Sequence, residues 1–103
     1  YGGVCDMNSI MRIAKKNDLM VLEDCAQCHM GRTASGQLAG SIGDAGSWSF
    51  ENSKHLSTGD GGIVTTNDEQ LATNMRQFGG VGFKNITANS GKVRRAIDAL
   101  LEE

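Results

Sequence analysis

A short apolar run, Leu19–Leu22 (LMVL), ends on two acids, Glu23 and Asp24. Four consecutive apolar residues bounded by polar ones are typical of a strand that is buried on both faces. Upstream, Asp6 can cap a helix that runs to about Asn17. A helix, a brief turn and a buried strand form one α/β unit, so the sequence predicts the α/β class.

The chain beyond this unit predicts two more strands and a second helix. Ala45–Phe50 and Gly62–Thr66 are the strand candidates, and the glycine-dotted segment 31–43 between them and the first strand is a loop or a loose hairpin. Thr66–Glu69 has the spacing of a capping box, and the helix that follows is expected to end at the glycines of 79–82.

The residues whose side chains could take part in catalysis or cofactor binding stand where the predicted strands end. Asp24 follows the first run, and Ser49 lies near the end of the next candidate strand, five residues before Lys54. A lysine amine can bond to an aldehyde cofactor and move a proton, a carboxylate can keep a ring nitrogen protonated, and a hydroxyl can bind a phosphate. The carboxyl ends of strands meet at one edge of an open α/β sheet. These residue types, in this order, favour pyridoxal phosphate.

Several motifs in series resemble the large domain of the DegT/DnrJ/StrS aminotransferases, a family of fold type I pyridoxal-phosphate enzymes. The matching elements are Tyr1–Gly2, Asp6–Met7, Glu23–Gln27, Gly40–Gly46, Ser49–Lys54 and Gly59–Gly62. The resemblance is strongest over residues 1–78 and implies a three-layer α/β/α domain with a mostly parallel sheet. Residues 1–103 are therefore interpreted as part of a pyridoxal-phosphate-binding large domain. The role of residues 83–103 is left open, although 92–103 could form an amphipathic helix.

The resemblance also implies a role for each of four residues. Lys54 would be the Schiff-base lysine, and Asp24 would pair with the pyridine nitrogen. Gln27 would lie against the cofactor ring near its phenolic oxygen, and Ser49 would bind the phosphate. The resemblance implies no metal. Some relatives that act as dehydratases have histidine at the lysine position, so Lys54 favours transamination.

The implied reaction moves an amino group from glutamate or glutamine to a keto sugar, commonly nucleotide-linked in this family. Such reactions serve amino-sugar, cell-surface polysaccharide or antibiotic biosynthesis. A keto-cyclitol acceptor and a non-catalytic, ligand-sensing relative stay open as alternatives. Family members are several times longer than this chain and act as homodimers. The chain is therefore interpreted as a fragment of the large domain that is inactive alone.

The bulk composition argues against several other classes of protein. The formal net charge of -2 gives no electrostatic case for binding nucleic acid or an anionic membrane. No apolar run approaches the ~20 residues of a membrane span, and no signal peptide precedes the first motif. Three cysteines, an odd number, do not suggest a disulfide framework. A cytoplasmic location is therefore expected.

A separate interpretation uses Cys25–His29 (CAQCH), the attachment sequence for c-type haem. Both thiols would bond the haem, and His29 would ligate the iron. This interpretation leaves Lys54 and the glycine-rich turn after it unexplained, so it is the weaker one. Zinc binding by the same residues would need a second pair of ligands, which His55 alone does not supply.

Overall fold

The computed structural model describes residues 2–79 as two helices and three strands. In chain order these are α1 (Met7–Lys16), β1 (Leu22–Asp24), β2 (Ala45–Ser49), β3 (Gly62–Thr65) and α2 (Glu69–Gly79). The strands form one sheet in the order β1-β2-β3, in which β1 and β2 are parallel and β3 is antiparallel to β2. The predicted α/β class is confirmed, and two of these three strands share one direction.

The chain divides into two compact units, residues 1–67 and residues 68–103. The first unit contains α1 and the sheet, and the second contains α2, which is described by itself. Within residues 2–79, no helix is long and apolar enough to cross a membrane. The single partial domain predicted for residues 1–103 stays a prediction. The helix predicted over 92–103 lies outside the described residues.

Helix α1 begins and ends as its sequence predicts. The Asp6 carboxylate accepts a hydrogen bond from the Ser9 backbone N–H at 3.1 Å, which makes Asp6 the N-cap, and Asn17 is the C-cap. Hydrogen bonding from Ser9 lowers the pKa of the Asp6 carboxyl below its ordinary value, so its charged form is favoured at the helix N-terminus. Met7 and Ala14, seven positions apart on one face, are the buried residues of the helix.

Strand β1 differs from its prediction in both position and burial. The strand begins at Leu22, whereas the apolar run begins at Leu19. Leu19, Met20 and Leu22 are 60%, 71% and 65% exposed. The prediction that this run is buried on both faces is therefore wrong for the described part of the chain. Residues 2–79 leave each of these three residues more than half exposed.

The register of β1 against β2 sorts the polar side chains onto two faces. Asp24 lies opposite Ser47 in the parallel pair. Side chains alternate along each strand, and directly paired residues share a face. One face therefore carries Asp24, Ser47 and Ser49, and the other carries Glu23 and Trp48. These are called the Asp24 face and the Glu23 face.

A small core lies on the Glu23 face. Cys25, Cys28 and Ala39 are buried together, and Val4 and Trp48 pack against them. Only Trp48 belongs to a strand, so loop segments provide most of this core. The sheet is consequently anchored on the Glu23 face by loops that must follow a defined path.

The Glu23 carboxylate holds the loop of residues 40–43 against the sheet. The Gly40 N–H donates to Oε2 at 2.7 Å, and the N–H groups of Ile42 and Gly43 each donate to Oε1 at 2.6 Å. Glu23 is 7% exposed, and it is the buried charged residue of the described part of the chain. A carboxylate can be buried when both oxygens accept hydrogen bonds, as they do here.

Two glycines allow this loop to approach the strands. A Cβ added to Gly46 would lie 2.1 Å from the carbonyl oxygen of Gly40, and one added to Gly43 would lie 2.6 Å from that of Val21. Backbone atoms cannot rotate away as a flexible side chain can, so larger residues are excluded. Asp44 Oδ2 also accepts the Val21 N–H at 2.6 Å and ties the end of the loop to the residue that precedes β1. Glycine is thus required at positions 43 and 46 for the loop to pack against the strands.

The glycine-dotted segment 31–43 begins as a loose hairpin, as predicted. Arg32 and Leu38 form an isolated antiparallel bridge. The turn between them is closed by the Gly36 N–H, which donates to the Thr33 carbonyl at 2.9 Å. The segment then continues into the loop that surrounds the Glu23 carboxylate.

Helix α2 has a different N-cap from the predicted one. Asp68 Oδ1 accepts the Leu71 N–H at 2.7 Å, which is an N-cap bond. The capping box predicted over Thr66–Glu69 is wrong, because Glu69 is the first residue of the helix and not the third. The helix ends at Gly79, the first glycine of the predicted stop.

Glu23→Gln is expected to lower the free energy of unfolding by about 2–4 kcal/mol, because the amide NH₂ would face a backbone N–H and leave buried donors unsatisfied. Denaturant unfolding of the natural gene product that contains this sequence would measure the change. Glu69→Gln is the matched control, since it removes the same charge at an exposed position. A loss for Glu23→Gln no larger than that for Glu69→Gln would contradict the role given to the carboxylate.

Candidate active site

Asp24 lies at the carboxyl end of β1 with its side chain exposed. Its Oδ1 accepts the Ala26 N–H at 3.0 Å, which fixes the carboxylate in a tight turn. Its Oδ2 has no hydrogen-bond partner within residues 2–79 and can accept another donor. The Cys25 N–H donates to the Ser47 carbonyl at 2.8 Å, so the parallel ladder continues past the strand end. Asp24 is thus a held and accessible acceptor at the sheet edge.

Ser49 ends β2 on the same face as Asp24. It stands two residues beyond Ser47, which lies opposite Asp24, so the two Cα atoms are on the order of 8 Å apart by strand geometry. Ser49 Oγ accepts the Glu51 N–H at 3.2 Å, which leaves the hydroxyl proton free to be donated. The structure therefore brings these two predicted site residues to one face and one edge.

Lys54 lies in the loop of residues 51–60, which leaves β2 and returns to β3. The Phe50 N–H donates to the Gly61 carbonyl at 2.8 Å, and the Thr58 N–H donates to the Phe50 carbonyl at 2.9 Å. These two bonds close the base of the loop beside Ser49. Lys54 is half-buried. The loop that carries it leaves the strand end at which Ser49 lies.

A local turn orients the backbone at Lys54. The Lys54 N–H donates to the Glu51 carbonyl at 3.0 Å. The Glu51 carboxylate accepts both the N–H and the hydroxyl of Ser53, at 3.1 and 2.5 Å. These bonds lower the pKa of the Glu51 carboxyl, and the positive charge of Lys54 acts in the same direction. Glu51 thus stays charged next to the lysine, a feature that sequence reasoning missed.

The glycine-rich run after Lys54 forms the turn that starts β3. Gly59 and Gly61 have φ values of +86° and +142°, which other residues rarely adopt. A Cβ on Gly62 would lie 2.7 Å from the Trp48 carbonyl oxygen. This geometry makes the run a structural support for the lysine loop.

Gln27 is exposed in the turn that follows Asp24. Within residues 2–79 no hydrogen bond joins its side chain to Asp24, Ser49 or Lys54. Its position two residues before His29 nevertheless puts it on the segment that runs from the sheet edge to the lysine loop. The structure therefore brings Asp24 and Ser49 to one face and starts the loop of Lys54 from the same strand end, and the roles of all four residues stay predictions.

The two cysteines of the haem interpretation are buried in the core. Cys25 is 3% exposed, and burial, with the nearby Glu23 charge as a second cause, raises the pKa of its thiol to about 11. Cys28 packs against it, and its Sγ donates to the Gly2 carbonyl at 3.5 Å. A haem cannot reach these thiols without opening the core, so the structure contradicts this alternative. Within residues 2–79, no three metal-binding side chains lie close enough to hold an ion.

Sequence comparison identifies the family. Residues 1–97 match the DegT/DnrJ/EryC1/StrS aminotransferase family. The chain belongs to this family. The DegT resemblance drawn from the motif series is therefore confirmed, and the three-layer fold type that it implied is shared with the family's solved structures.

Relatives of the DegT family are similar to this chain over a fraction of their length. GDP-perosamine synthase of Caulobacter vibrioides is 44% identical over 82 residues, which are 80% of this chain and 22% of the synthase. A putative L-glutamine:3-amino-2,3-dideoxy-scyllo-inosose aminotransferase of Streptoalloteichus tenebrarius is 46% identical over 66 residues, 64% of this chain and 16% of that protein. The chain thus spans less than a quarter of either relative.

A solved aminotransferase structure is similar to this chain in both sequence and fold. The aminotransferase from Psychrobacter cryohalolentis is 53% identical to this chain, with a TM-score of 0.67 over 72% of this chain and 19% of that one.

The buried Cys25 thiol is expected to react far more slowly with iodoacetamide at pH 8 than the exposed Cys5 thiol, because it is covered and stays protonated below about pH 11.

The free energy of unfolding is expected to fall as pH rises from about 9, where the Cys25 thiol of the unfolded chain ionises, towards 11, since the folded protein retains that proton. Peptide mapping and pH-dependent unfolding measure the two effects. In Cys25→Ala the added pH dependence should disappear, and equal labelling of Cys5 and Cys25 would argue against the burial.

Proposed function

We propose that this chain is the cofactor-holding part of a pyridoxal-phosphate-dependent aminotransferase. The observation that carries the proposal is that two of the predicted residues, and the start of the loop that bears the third, stand at the ends of neighbouring strands. Asp24 and Ser49 end two parallel strands on one face, and the loop that carries Lys54 leaves the second of those strands. Membership of the DegT family supports the same reading, because its relatives are named as aminotransferases.

The side chains at this edge fit pyridoxal phosphate. Asp24 offers a carboxylate oxygen without a partner among the described residues, which suits a protonated pyridine nitrogen. Ser49 has a hydroxyl proton to donate to a phosphate oxygen. Lys54 supplies a primary amine for a covalent bond to the cofactor aldehyde. An acid, a hydroxyl and an amine together match the three ends of the cofactor.

Each residue has a defined task in this proposal. Bound pyridoxal phosphate supplies an electron sink for a carbanion next to the transferred nitrogen. Asp24 accepts a hydrogen bond from the ring nitrogen and so keeps it positive. Ser49 would hold the phosphate end, and Lys54 would accept or release a proton at its Nζ atom. Gln27 is proposed to contact the phenolic oxygen of the ring.

The proposed donor is glutamate or glutamine, and the proposed acceptor is a keto sugar, nucleotide-linked as in the name of the Caulobacter synthase. The name of the Streptoalloteichus relative specifies L-glutamine and a scyllo-inosose, so a keto-cyclitol acceptor is the second candidate. We also propose that the natural gene product is a homodimer. A cytoplasmic location is supported by the free thiols of Cys25 and Cys28, as in a reducing compartment.

Borohydride reduction of the natural gene product in the presence of pyridoxal phosphate is expected to attach a phosphopyridoxyl group to Lys54, because its amine would hold the cofactor covalently. Peptide mapping by mass spectrometry locates the group. Lys54→Arg keeps the positive charge but cannot form this bond, so its label should be lost. A wild-type label on Lys15 or Lys16 alone, or an undiminished label in Lys54→Arg, would remove the basis of the proposal.

Asp24→Asn is expected to slow amino transfer by about 100-fold or more, because a neutral amide stabilises the positive ring nitrogen far less. A hybrid of the Caulobacter GDP-perosamine synthase that carries the matching 82 residues of this chain provides the assay, with GDP-perosamine formation as the readout. Asp18→Asn is the control, since it removes one acidic charge just after α1. Equal rates for the two variants would refute the role of Asp24.

A further inference from the structure

We propose that His29 and His55 form a latch that positions the loop carrying Lys54. The two imidazoles meet through their Nδ1 atoms at 3.3 Å, although they are 26 positions apart in the chain. His55 is the residue directly after Lys54, and His29 follows Gln27 by two positions. The latch therefore joins the segment that leaves Asp24 to the segment that carries the amine. Its purpose in positioning Lys54 rests on the function proposed above.

The latch is the one long-range hydrogen bond of the lysine loop within residues 2–79. The other hydrogen bonds of residues 51–60 link them to each other or to residues 49–61. Closure at the base fixes where the loop begins and ends but leaves its middle, which includes Lys54, free to tilt. A tie at His55 removes that freedom at the position where the amine is attached.

His29 is itself held in place, so it can act as the fixed half of the latch. Its ring stacks on Phe50, with centroids 5.8 Å apart and planes at 23°. The His55 ring meets it edge to face, with centroids 5.5 Å apart and planes at 65°. Phe50 belongs to the closed base of the loop. The stacked rings therefore hold His55 in a defined position relative to the end of β2.

Apolar side chains surround the contact between the two imidazoles on one side. The rings line an open cavity of 470 Å³ together with the apolar residues Met30, Trp48, Phe50, Leu56 and Ile63. His55 itself is exposed. One Nδ1 must donate and the other accept, so the contact also specifies the orientation of both rings.

A buried nitrogen indicates which ring donates. His29 Nε2 is buried and has no hydrogen-bond partner in the described part of the chain. An N–H buried without an acceptor is costlier and rarer than a buried acceptor without a donor. We therefore assign the ring proton of His29 to Nδ1, from which it is donated to His55 Nδ1. His55 is then the acceptor, and its replacement must provide an acceptor at the same place.

The consequence for Lys54 is a narrower range of positions for its amine. Reacting groups that are displaced by about 1 Å can lose about 100-fold in rate, so the position of the loop matters to the chemistry. His29 and His55 are positioning residues in this scheme, because neither is proposed to touch the cofactor. The two histidines share their cavity with Trp48 and Ile63, which lie on the Glu23 face of the sheet. Asp24 and Ser49 lie on the other face.

Amide hydrogen exchange in the cofactor-free natural gene product tests the latch without reference to activity. His55→Phe keeps a ring but removes the acceptor, and the amides of residues 51–60 are expected to exchange about 5- to 10-fold faster. His55→Asn puts an amide oxygen near the position of Nδ1, and exchange should stay within about twofold of wild type. His29→Phe should match His55→Phe, and the double variant should exchange no faster than either.

A second readout connects the latch to the cofactor. At pyridoxal phosphate concentrations below saturation, the borohydride-trapped label on Lys54 should fall in His55→Phe and be retained in His55→Asn. Unchanged exchange in His55→Phe, or faster exchange that extends equally to α1, would overturn the latch. Absence of label on wild-type Lys54 would instead defeat the proposed function and leave the exchange result to decide the latch alone.

Discussion

One buried carboxylate organises the described fold. Glu23 is enclosed on the core side of the sheet, and its oxygens accept three backbone N–H groups from the loop of residues 40–43. If the carboxylate and the loop separated, the carboxylate would lose its hydrogen-bond donors and the N–H groups would lose their acceptor. Separation is therefore costly, because these groups are largely removed from water. The register of β1 against β2 and the path of the loop into β2 are thereby specified together.

The same carboxylate determines where the candidate active site can form. Since neighbouring residues of a strand point to opposite faces, the burial of Glu23 turns Asp24 towards the opposite, accessible face. Parallel pairing with β2 then places Ser49 on that face as well. The loop that carries Lys54 starts from the same strand end, so the burial of Glu23 places the acid and the hydroxyl on one face beside the start of that loop.

Local signals made parts of this arrangement predictable. Asp6 was identifiable as the cap of α1, and the two later strands were predicted to within a residue, because capping and strand-forming patterns depend on nearby residues. Asp24, Ser49 and Lys54 could be selected from their residue types, spacing and resemblance to a family. The start of β1 and the N-cap of α2 were predicted wrongly, since an apolar run and a capping spacing each fit more than one register.

By itself, the amino-acid sequence determined the fold class and the family, and it predicted Asp24, Ser49 and Lys54 as site residues. Only the tertiary structure decided which acid of the Glu23–Asp24 pair is buried, that the CAQCH cysteines belong to a core, and that His29 meets His55. These outcomes depend on contacts between segments 17 to 26 positions apart or on strand pairing. Neighbouring acids are equivalent in a sequence pattern, and it is the partner across space that makes one structural and leaves the other exposed.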